Sequence, residues 1–475
     1  MIKGIFIDGE YKESEHTFEL FHPHTQEKVE QVAKGNEEDM IQAIDSAADA
    51  FQTMKQMSSV ERAEIVKRAA EILQQRSEEF AKMITLEAGK PITASRSEVE
   101  RSVQTLLFAA EEAKQSNGQY IALDAAKGGE GRDAFTIYQP LGVIGAITPF
   151  NFPVNLTVHK VGPAIATGNT IVVKPASQTP LSACLLAEVF IEAGLPKGAF
   201  NVVSGEGGQL GDVLLADDRI KKISFTGSPK VGKMIKEKAG LKRVTLELGS
   251  NSALYIDASV KDEMEDVVKQ SVSAAFAYNG QVCIHTQRIY VHKEIANEFI
   301  EQFITQTKSL PYGDPFDEDT VLTGLISEKE QKRVLDWINQ SVSAGAELKY
   351  GGEKIERGIE PTILVNVPKN EKVVCEEVFG PVVVIQIVES ADQALAEMND
   401  SDYGLNAGMF TNHLKQAMKM AHELEVGQVL INDVPTLRFD HMPYGGVKSS
   451  GYGHEGVKYA MKEMTNMKFI SIHYQ

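Results

Sequence analysis

The sequence predicts an α/β protein built on mostly parallel sheets, and three observations lead there. Short apolar, β-branched runs alternate with amphipathic helical stretches at a repeat of roughly 25–30 residues, the rhythm of successive βαβ units. The chain has 475 residues, long enough for more than one domain. Hydrophobic residues make up 43% of it and charged residues 24%, which suits large buried cores and excludes disordered or fibrous classes.

The elements follow in order. From Asn36 to Ala88 the pattern is helical, with Ile41, Ile44, Ala48 and Phe51 on one stripe. Ile65, Ala69, Ile72 and Leu73 repeat that stripe after Ser59, which has the chemistry of an N-cap. Glu98 to Gln115 reads as another long helix. The clear alternation starts at Gly142. Strands are predicted at Gly142–Thr148, Thr170–Val173, Phe200–Val203, Lys222–Phe225 and Val244–Leu248. Helices Pro180–Ala193, Gly208–Ala216 and Pro229–Ala239 lie between them, and Gly194 and Gly240 end two of these. A second α/β block has helices Lys261–Tyr278, Glu294–Thr307, Glu328–Ala344 and Ala391–Met398, with strands Arg288–His292, Pro361–Val367 and Pro381–Ile387. Pro435 to Gly456 is dense in Gly and aromatic residues and reads as a long functional loop. The tail Met467–Tyr474 alternates like a strand suited to pairing with a partner's edge. Parallel sheets of this kind bind ligands at the carboxyl ends of their strands.

Charge and cysteine usage narrow the partners. Asp and Glu number 66 against 48 Lys and Arg, a formal charge of −18, and such a surface repels phosphate backbones and anionic lipid. Nucleic acid and membranes are therefore not expected partners. Cys184, Cys283 and Cys375 lie far apart with no CxxC pair, which argues against a disulfide framework or a metal site and suits the cytoplasm. Met1 to Glu10 shows no signal peptide, and no apolar run is long enough to span a bilayer.

Two glycine-rich segments invite nucleotide readings, and each misses its pattern. In Gly205 to Gly211 the third glycine arrives one residue late for a dinucleotide fingerprint, and Gly227 to Met234 has a thioether where a P-loop needs its hydroxyl. Both still run from strand through a Gly turn into a helix N-terminus, a geometry that offers N–H groups to a pyrophosphate. Cys283, in Asn279-Gly280-Gln281-Val282-Cys283, is either a small buried hydrophobe or a nucleophile. Cys184 sits among Leu185, Leu186 and Val189 and reads as core, and Glu376 and Glu377 would blunt a thiol at Cys375. Glu247, in Thr245-Leu246-Glu247-Leu248-Gly249, is either on the solvent face of a strand or a general base at its carboxyl end. Asn151, between Phe150 and Phe152 and flanked by Pro149 and Pro153, is either a turn former or an amide donor to an oxyanion.

Together these segments resemble the aldehyde dehydrogenase superfamily over essentially the whole chain. The matching stretches are Pro149–Pro153 (PFNFP), Val172–Pro175 (VVKP), Phe225–Ser228 (FTGS), Leu246–Gly249 (LELG), Gly280–Cys283 (GQVC) and Glu376–Pro381 (EEVFGP). Each alone is weak, and their shared order and spacing make the resemblance specific. It implies a Rossmann-like cofactor domain over 1–249 and an α/β catalytic domain over 250–435. Residues 436–475 would form the substrate loop, the return to the cofactor domain and an oligomerisation tail, with a joining arm strand at about 133–140. It implies Cys283 as nucleophile, Glu247 as general base, and Asn151 with the Cys283 N–H as oxyanion hole. Thr148, Pro149, Phe150, Lys174, Ser177, Gly207, Gly211, Phe225, Thr226, Gly227, Ser228, Leu248, Glu377 and Phe379 would line the NAD(P) site. The implied activity is oxidation of a small aldehyde to its acid by a homo-oligomer, hydrolytic because Glu247 is present.

Departures from the family pattern bear on specificity. Many NAD-preferring relatives carry a Glu where this chain has Ser177, so NADP is permitted here. Ser250 and Asn251 stand where many relatives have a Gly and a Lys. The loop from Thr436 to Lys448 resembles those of relatives acting on small hydroxylated or anionic aldehydes, such as lactaldehyde, sulfolactaldehyde, succinate-semialdehyde and non-phosphorylating glyceraldehyde-3-phosphate dehydrogenases. Arg438 in it either forks onto a substrate anion or is tied to Asp440 or Asp433. His159, His285 and His441 either line the same pocket or are structural. Two rival readings remain at this point: a cofactor-independent thiol hydrolase or acyltransferase using Cys283, and a non-catalytic nucleotide-binding member.

Overall fold

The computed structural model describes residues 3–115 and 118–474. Its first sheet has eight strands in the order Glu10–Tyr11, Ile5–Ile7, Phe200–Val203, Thr170–Lys174, Val143–Ile147, Ile220–Thr226, Arg243–Glu247 and Gly451–Tyr452. The five central strands run parallel, as the alternation predicts, and both edges are antiparallel additions. Register brings Ile147 beside Lys174 and Thr226 beside Glu247, so the loops after these strands open on one side of the sheet. The strand at Ile5–Ile7 is too short to carry a periodic signal.

A second sheet of seven strands runs Glu347–Tyr350, Thr362–Val365, Val382–Val388, Arg288–His292, Ala253–Ile256, Asn406–Phe410 and Gln428–Ile431. Ala253–Ile256 and Asn406–Phe410 went unpredicted because they are fully buried and so lack alternation, and Asn406-Ala407-Gly408 is poor in strand formers. A third sheet holds Tyr120–Ile121, Arg132–Pro140 and Thr465–His473. The tail pairs on one side with its own chain, Ile470 opposite Phe135, and its other edge has no partner among the described residues.

The helical stretch from Asn36 resolves into Glu37–Met54, Ser59–Gln75 and Ser77–Ala88. Ser58, not Ser59, caps the second. Its hydroxyl accepts from the Glu61 N–H (3.3 Å) while the Glu61 carboxylate accepts from the Ser58 N–H (2.7 Å), a capping box that only the Ser58/Glu61 spacing allows. The expected helix Lys261–Tyr278 is also shorter, Met264–Phe276. Beyond it Tyr278, Asn279 and Gly280 take φ of 44°, 56° and 70°, which turns the chain sharply toward Cys283. Only glycine fits the last of these, because a Cβ there would run into the Gly380 carbonyl.

Two buried carboxylates fix the helices that follow the site loops. Glu98 accepts from the N–H groups of Val154 (2.9 Å) and Asn155 (3.1 Å), and Glu87 from those of Leu181 (2.9 Å) and Ser182 (3.1 Å). Neither helix start has a cap from its own sequence, so these distant acids replace local Ser or Asp caps, each worth about 1 kcal/mol. Lys90 pairs with Glu98 and lies 3.7 Å above the Phe152 ring, so the segment carrying Asn151 is held from behind.

Candidate active site

Cys283 follows the left-handed turn and is half-buried, with Sγ 3.2 Å from the Tyr444 hydroxyl. Burial pushes its thiol up to about 11, opposed by the Tyr444 hydrogen bond and the nearby Arg438 cation. Asn151 is buried, and its Nδ2 donates to the carbonyl of Gln281, two residues before the cysteine (3.0 Å). Glu247 ends the strand Arg243–Glu247 and is 3% exposed, which removes the solvent-face reading. Both its carboxylate oxygens are buried without a hydrogen-bond partner, and burial, then the neighbouring Glu455, raises its pKa well above the ordinary value. Gln281 Nε2, Glu455 Oε2 and Arg438 Nε are buried and unpartnered as well.

Behind this cluster lies a network of charges that sequence reasoning missed. Lys160 pairs with Glu455 and donates to the Thr226 hydroxyl (2.8 Å), so that hydroxyl is already engaged. Arg101 grips Asp440 with two parallel bonds, Nη2 to Oδ1 (2.7 Å) and Nε to Oδ2 (3.2 Å). His159 Nε2 lies 2.9 Å from Asp440 Oδ1 and 3.3 Å from Arg438 Nη2. These donors outweigh burial and hold Asp440 below the usual carboxylate range. Arg438 lies with its guanidinium 3.7 Å above the Tyr444 ring, 3.5 Å from Glu455 Oε2 and 3.8 Å from Asp440 Oδ1. Tyr444, Glu455, Lys160 and Arg101 gave no separate signal in the sequence: each is an ordinary residue until the fold brings elements hundreds of positions apart into contact.

The structure does not gather every predicted residue. His285 is fully buried, its Nδ1 3.1 Å from the Val282 carbonyl, and burial holds its pKa down to about 4. It is a core histidine in this arrangement. His159 is buried behind Arg438, and His441 is exposed at the rim, its ring 4.8 Å from that of Phe108. Cys184 is core, as expected, and Cys375 is exposed.

The carboxyl ends of the parallel strands form the second half of the site. Thr148, Pro149 and Phe150 follow one strand, Lys174 ends the next, and Gly207 and Gly211 lie on the helix Gly207–Ala216 after a third. Gly207 faces open space, since an added Cβ would meet only Lys174 Nζ at 3.7 Å. Lys174 is 5% exposed, and burial alone lowers its pKa to about 8. Ser177 donates to the Gly205 carbonyl (3.0 Å). Gly227 sits directly over the Phe225 ring, and Ser228 caps the helix Pro229–Lys238 against which Leu248 packs. Glu377 accepts from the Ser250 N–H (2.8 Å), and burial raises it to about 7. Phe379, at φ 49°, turns its ring edge-on to Phe150 (5.8 Å, 83°). An open glycine floor, helix N-termini, a buried ammonium and a buried carboxyl fit a dinucleotide's phosphates and riboses. Among the described residues no cluster suits a metal ion, and no helix is long and apolar enough to cross a membrane.

Comparison with known proteins turns on the same geometry. Residues 11–470 match the aldehyde dehydrogenase family. The chain belongs to that family. It is 44% identical over 467 residues to a 3-sulfolactaldehyde dehydrogenase of Priestia megaterium, covering 98% of this chain and 97% of that protein. It is 40% identical over 474 residues to a lactaldehyde dehydrogenase of Methanococcus maripaludis, covering 99% and 100%. Among solved structures it matches aldehyde dehydrogenase 21 from Physcomitrella patens, in complex with the reaction product succinate, with a TM-score of 0.96, 38% identity and coverage of 100% and 99%. Similar solved chains include NAD-dependent and NADP-bound members. This aldehyde dehydrogenase therefore has the family's α/β fold and oxidises an aldehyde with NAD(P). Family membership replaces the cofactor-independent hydrolase and non-catalytic readings.

Proposed function

We propose that this aldehyde dehydrogenase oxidises a short aldehyde bearing a hydroxyl or a single negative charge, through a Cys283 thioester that Glu247-activated water hydrolyses. One observation carries the substrate reading. Arg438 is a buried cation one tyrosine ring away from the thiol: its Nη2 meets His159 Nε2 at 3.3 Å, Glu455 and Asp440 stand at 3.5 and 3.8 Å, and its Nε has no hydrogen-bond partner. A buried guanidinium without a hydrogen-bonded carboxylate is costly unless a ligand anion completes it. The sulfolactaldehyde and lactaldehyde relatives and the succinate-bound structure point to the same substrate class.

The chemistry follows from the residues. Cys283 Sγ bonds to the aldehyde carbon, and the oxygen that becomes anionic is held by the Asn151 amide and the Cys283 N–H, donors worth roughly 3–4 kcal/mol each. Bound nicotinamide supplies the hydride acceptor. Lys174 and Glu377 would hold its two riboses, Ser228 and the helix after it would hold its pyrophosphate, and Phe379 would pack near its ring. Once the carbon is oxidised, the acyl group stays on Cys283. Glu247, whose oxygens have no protein partner, takes the proton of the attacking water. The lobe 1–249 carries the cofactor and 250–435 the nucleophile. The unpaired tail edge supports a homo-oligomer, and three unpaired cysteines support a reducing cytoplasm.

The test is a pair of aldehydes. Arg438→Ala is expected to raise KM for sulfolactaldehyde at least tenfold more than for lactaldehyde; an equal loss for both overturns the anion reading. Acylation of coenzyme A during turnover would overturn hydrolysis by Glu247.

A further inference from the structure

Three cations, Arg438, Lys160 and Arg101, gather around the Glu455 and Asp440 carboxylates, and two of them are already satisfied from inside the protein. Lys160 pairs with Glu455. Arg101, on the helix Ile92–Glu112, is locked onto Asp440 by its two parallel hydrogen bonds. His159 Nε2 lies 2.9 Å from the same carboxylate and 3.3 Å from Arg438 Nη2, and burial, then the Arg438 cation, lowers its pKa. Arg438 alone has no hydrogen-bonded carboxylate: Glu455 and Asp440 stand at 3.5 and 3.8 Å, and its Nε has no partner. Glu455 and Asp440 against these three cations leave one positive charge as long as Glu247, the third carboxyl beside Arg438 and Lys160, holds its proton, as burial and the neighbouring Glu455 favour.

Asp440 itself belongs to the loop segment that carries Arg438, is 5% exposed, and is the hub on which Arg101, His159 and Arg438 converge. Without its charge, two guanidinium groups and an imidazole would face one point, a receptor for a doubly charged group. With it, a second negative charge on the substrate would lie close to the Asp440 and Glu455 carboxylates in a low-dielectric setting and be repelled. We propose that Asp440 is a specificity-determining residue. It acts as an internal counter-anion that occupies Arg101 and His159, so that the site selects aldehydes with one negative charge over those with two. The inference rests on the reading that Arg438 faces the substrate.

Three aldehydes on the same 2-hydroxy three-carbon frame separate the possibilities: lactaldehyde (neutral), sulfolactaldehyde (one charge) and glyceraldehyde 3-phosphate (two charges at pH 8, above the phosphate's second pKa of about 6). The wild type is expected to show kcat/KM at least tenfold higher for the sulfonate than for the phosphate. Asp440→Asn keeps the shape and an acceptor for Arg101 and is expected to raise the phosphate-to-sulfonate ratio at least tenfold. An unchanged ratio, or a wild type that already prefers the phosphate, overturns the proposal. Should Asp440→Asn fold poorly, Arg101→Gln is the second arm. It frees the Asp440 charge to neutralise Arg438, and the sulfonate-to-lactaldehyde ratio is expected to fall at least tenfold; no fall overturns the proposal. The parent reading fails separately, on Arg438→Ala affecting neutral and charged substrates alike.

Discussion

Tyr444→Phe removes a single oxygen, the one 3.2 Å from the Cys283 sulfur. The hydroxyl has no other partner in the site, so the change isolates one hydrogen bond to the thiol. Burial raises the thiol to about 11, and this bond works against that rise, stabilising the thiolate. A hydrogen bond to a charged group is worth about 1.5–3 kcal/mol, and 1.36 kcal/mol is one pKa unit, so the thiol should rise by about 1–2 units. At pH 8, below both values, the thiolate fraction falls about 10–100-fold. A more basic thiolate is also more nucleophilic, which recovers about 3–10-fold, so the net loss is about 3–10-fold. The assay is the rate of Cys283 alkylation by iodoacetamide between pH 7 and pH 9, with Cys283→Ser as the blank. The two rate–pH curves should run parallel with a constant offset. Coincident curves would refute the reasoning, and so would a wild-type curve that levels off toward pH 9 while the variant's still climbs, which would place the wild-type thiol well below about 11.

The remaining predictions concern the base and the cofactor. Glu247→Gln should keep a burst of reduced cofactor but lower the steady state at least ~10²-fold, read by stopped-flow absorbance; a missing burst would move the role of Glu247 to an earlier step. Because burial raises the pKa of Glu247, wild-type steady-state rate should climb with pH above the ordinary carboxyl range, and the Gln variant should lose that slope. Glu377, raised to about 7, is a neutral acid below that pH and a stronger acceptor of ribose hydroxyls above it. Cofactor affinity measured by fluorescence titration should therefore fall between pH 8 and pH 6 in the wild type and stay flat in Glu377→Gln. Ser177→Glu should lower kcat/KM for NADP at least tenfold relative to NAD, since a carboxylate there repels the 2′-phosphate; an unchanged ratio would show that Ser177 lies away from it.

What could be read from the residues follows the range of the interactions involved. The five parallel strands of the first sheet are legible because each is an apolar run ended by a local turn signal. Asn151, Glu247 and Cys283 are legible because each sits in a short contiguous motif. The Arg101–Asp440 and Lys160–Glu455 pairs are not legible, since their partners are 339 and 295 positions apart and neither half has a neighbour that marks it. Arg438 shows both outcomes in one residue. Its nearness to Asp440 is foreseeable from sequence, but its stacking on Tyr444 is not. His285, two positions from the nucleophile, can be read from the sequence either as a pocket residue or as a structural one, and its full burial favours the second.

The strand Gly451–Tyr452 has a consequence for how the enzyme comes into being. It completes the first sheet by pairing with Leu246 and Glu247, and the Ser450 carbonyl accepts from the Leu248 N–H (2.9 Å). The base is thus clamped by a segment made some two hundred residues later. A nascent chain can wind its early helices and lay down its central strands while the ribosome is still working, but contacts of such separation close last. The Cys283–Tyr444 contact and the clamp on Glu247 form only after the segment from Tyr444 to Tyr452 has been made. A chain that stops before Gly451 therefore lacks the clamp on its base.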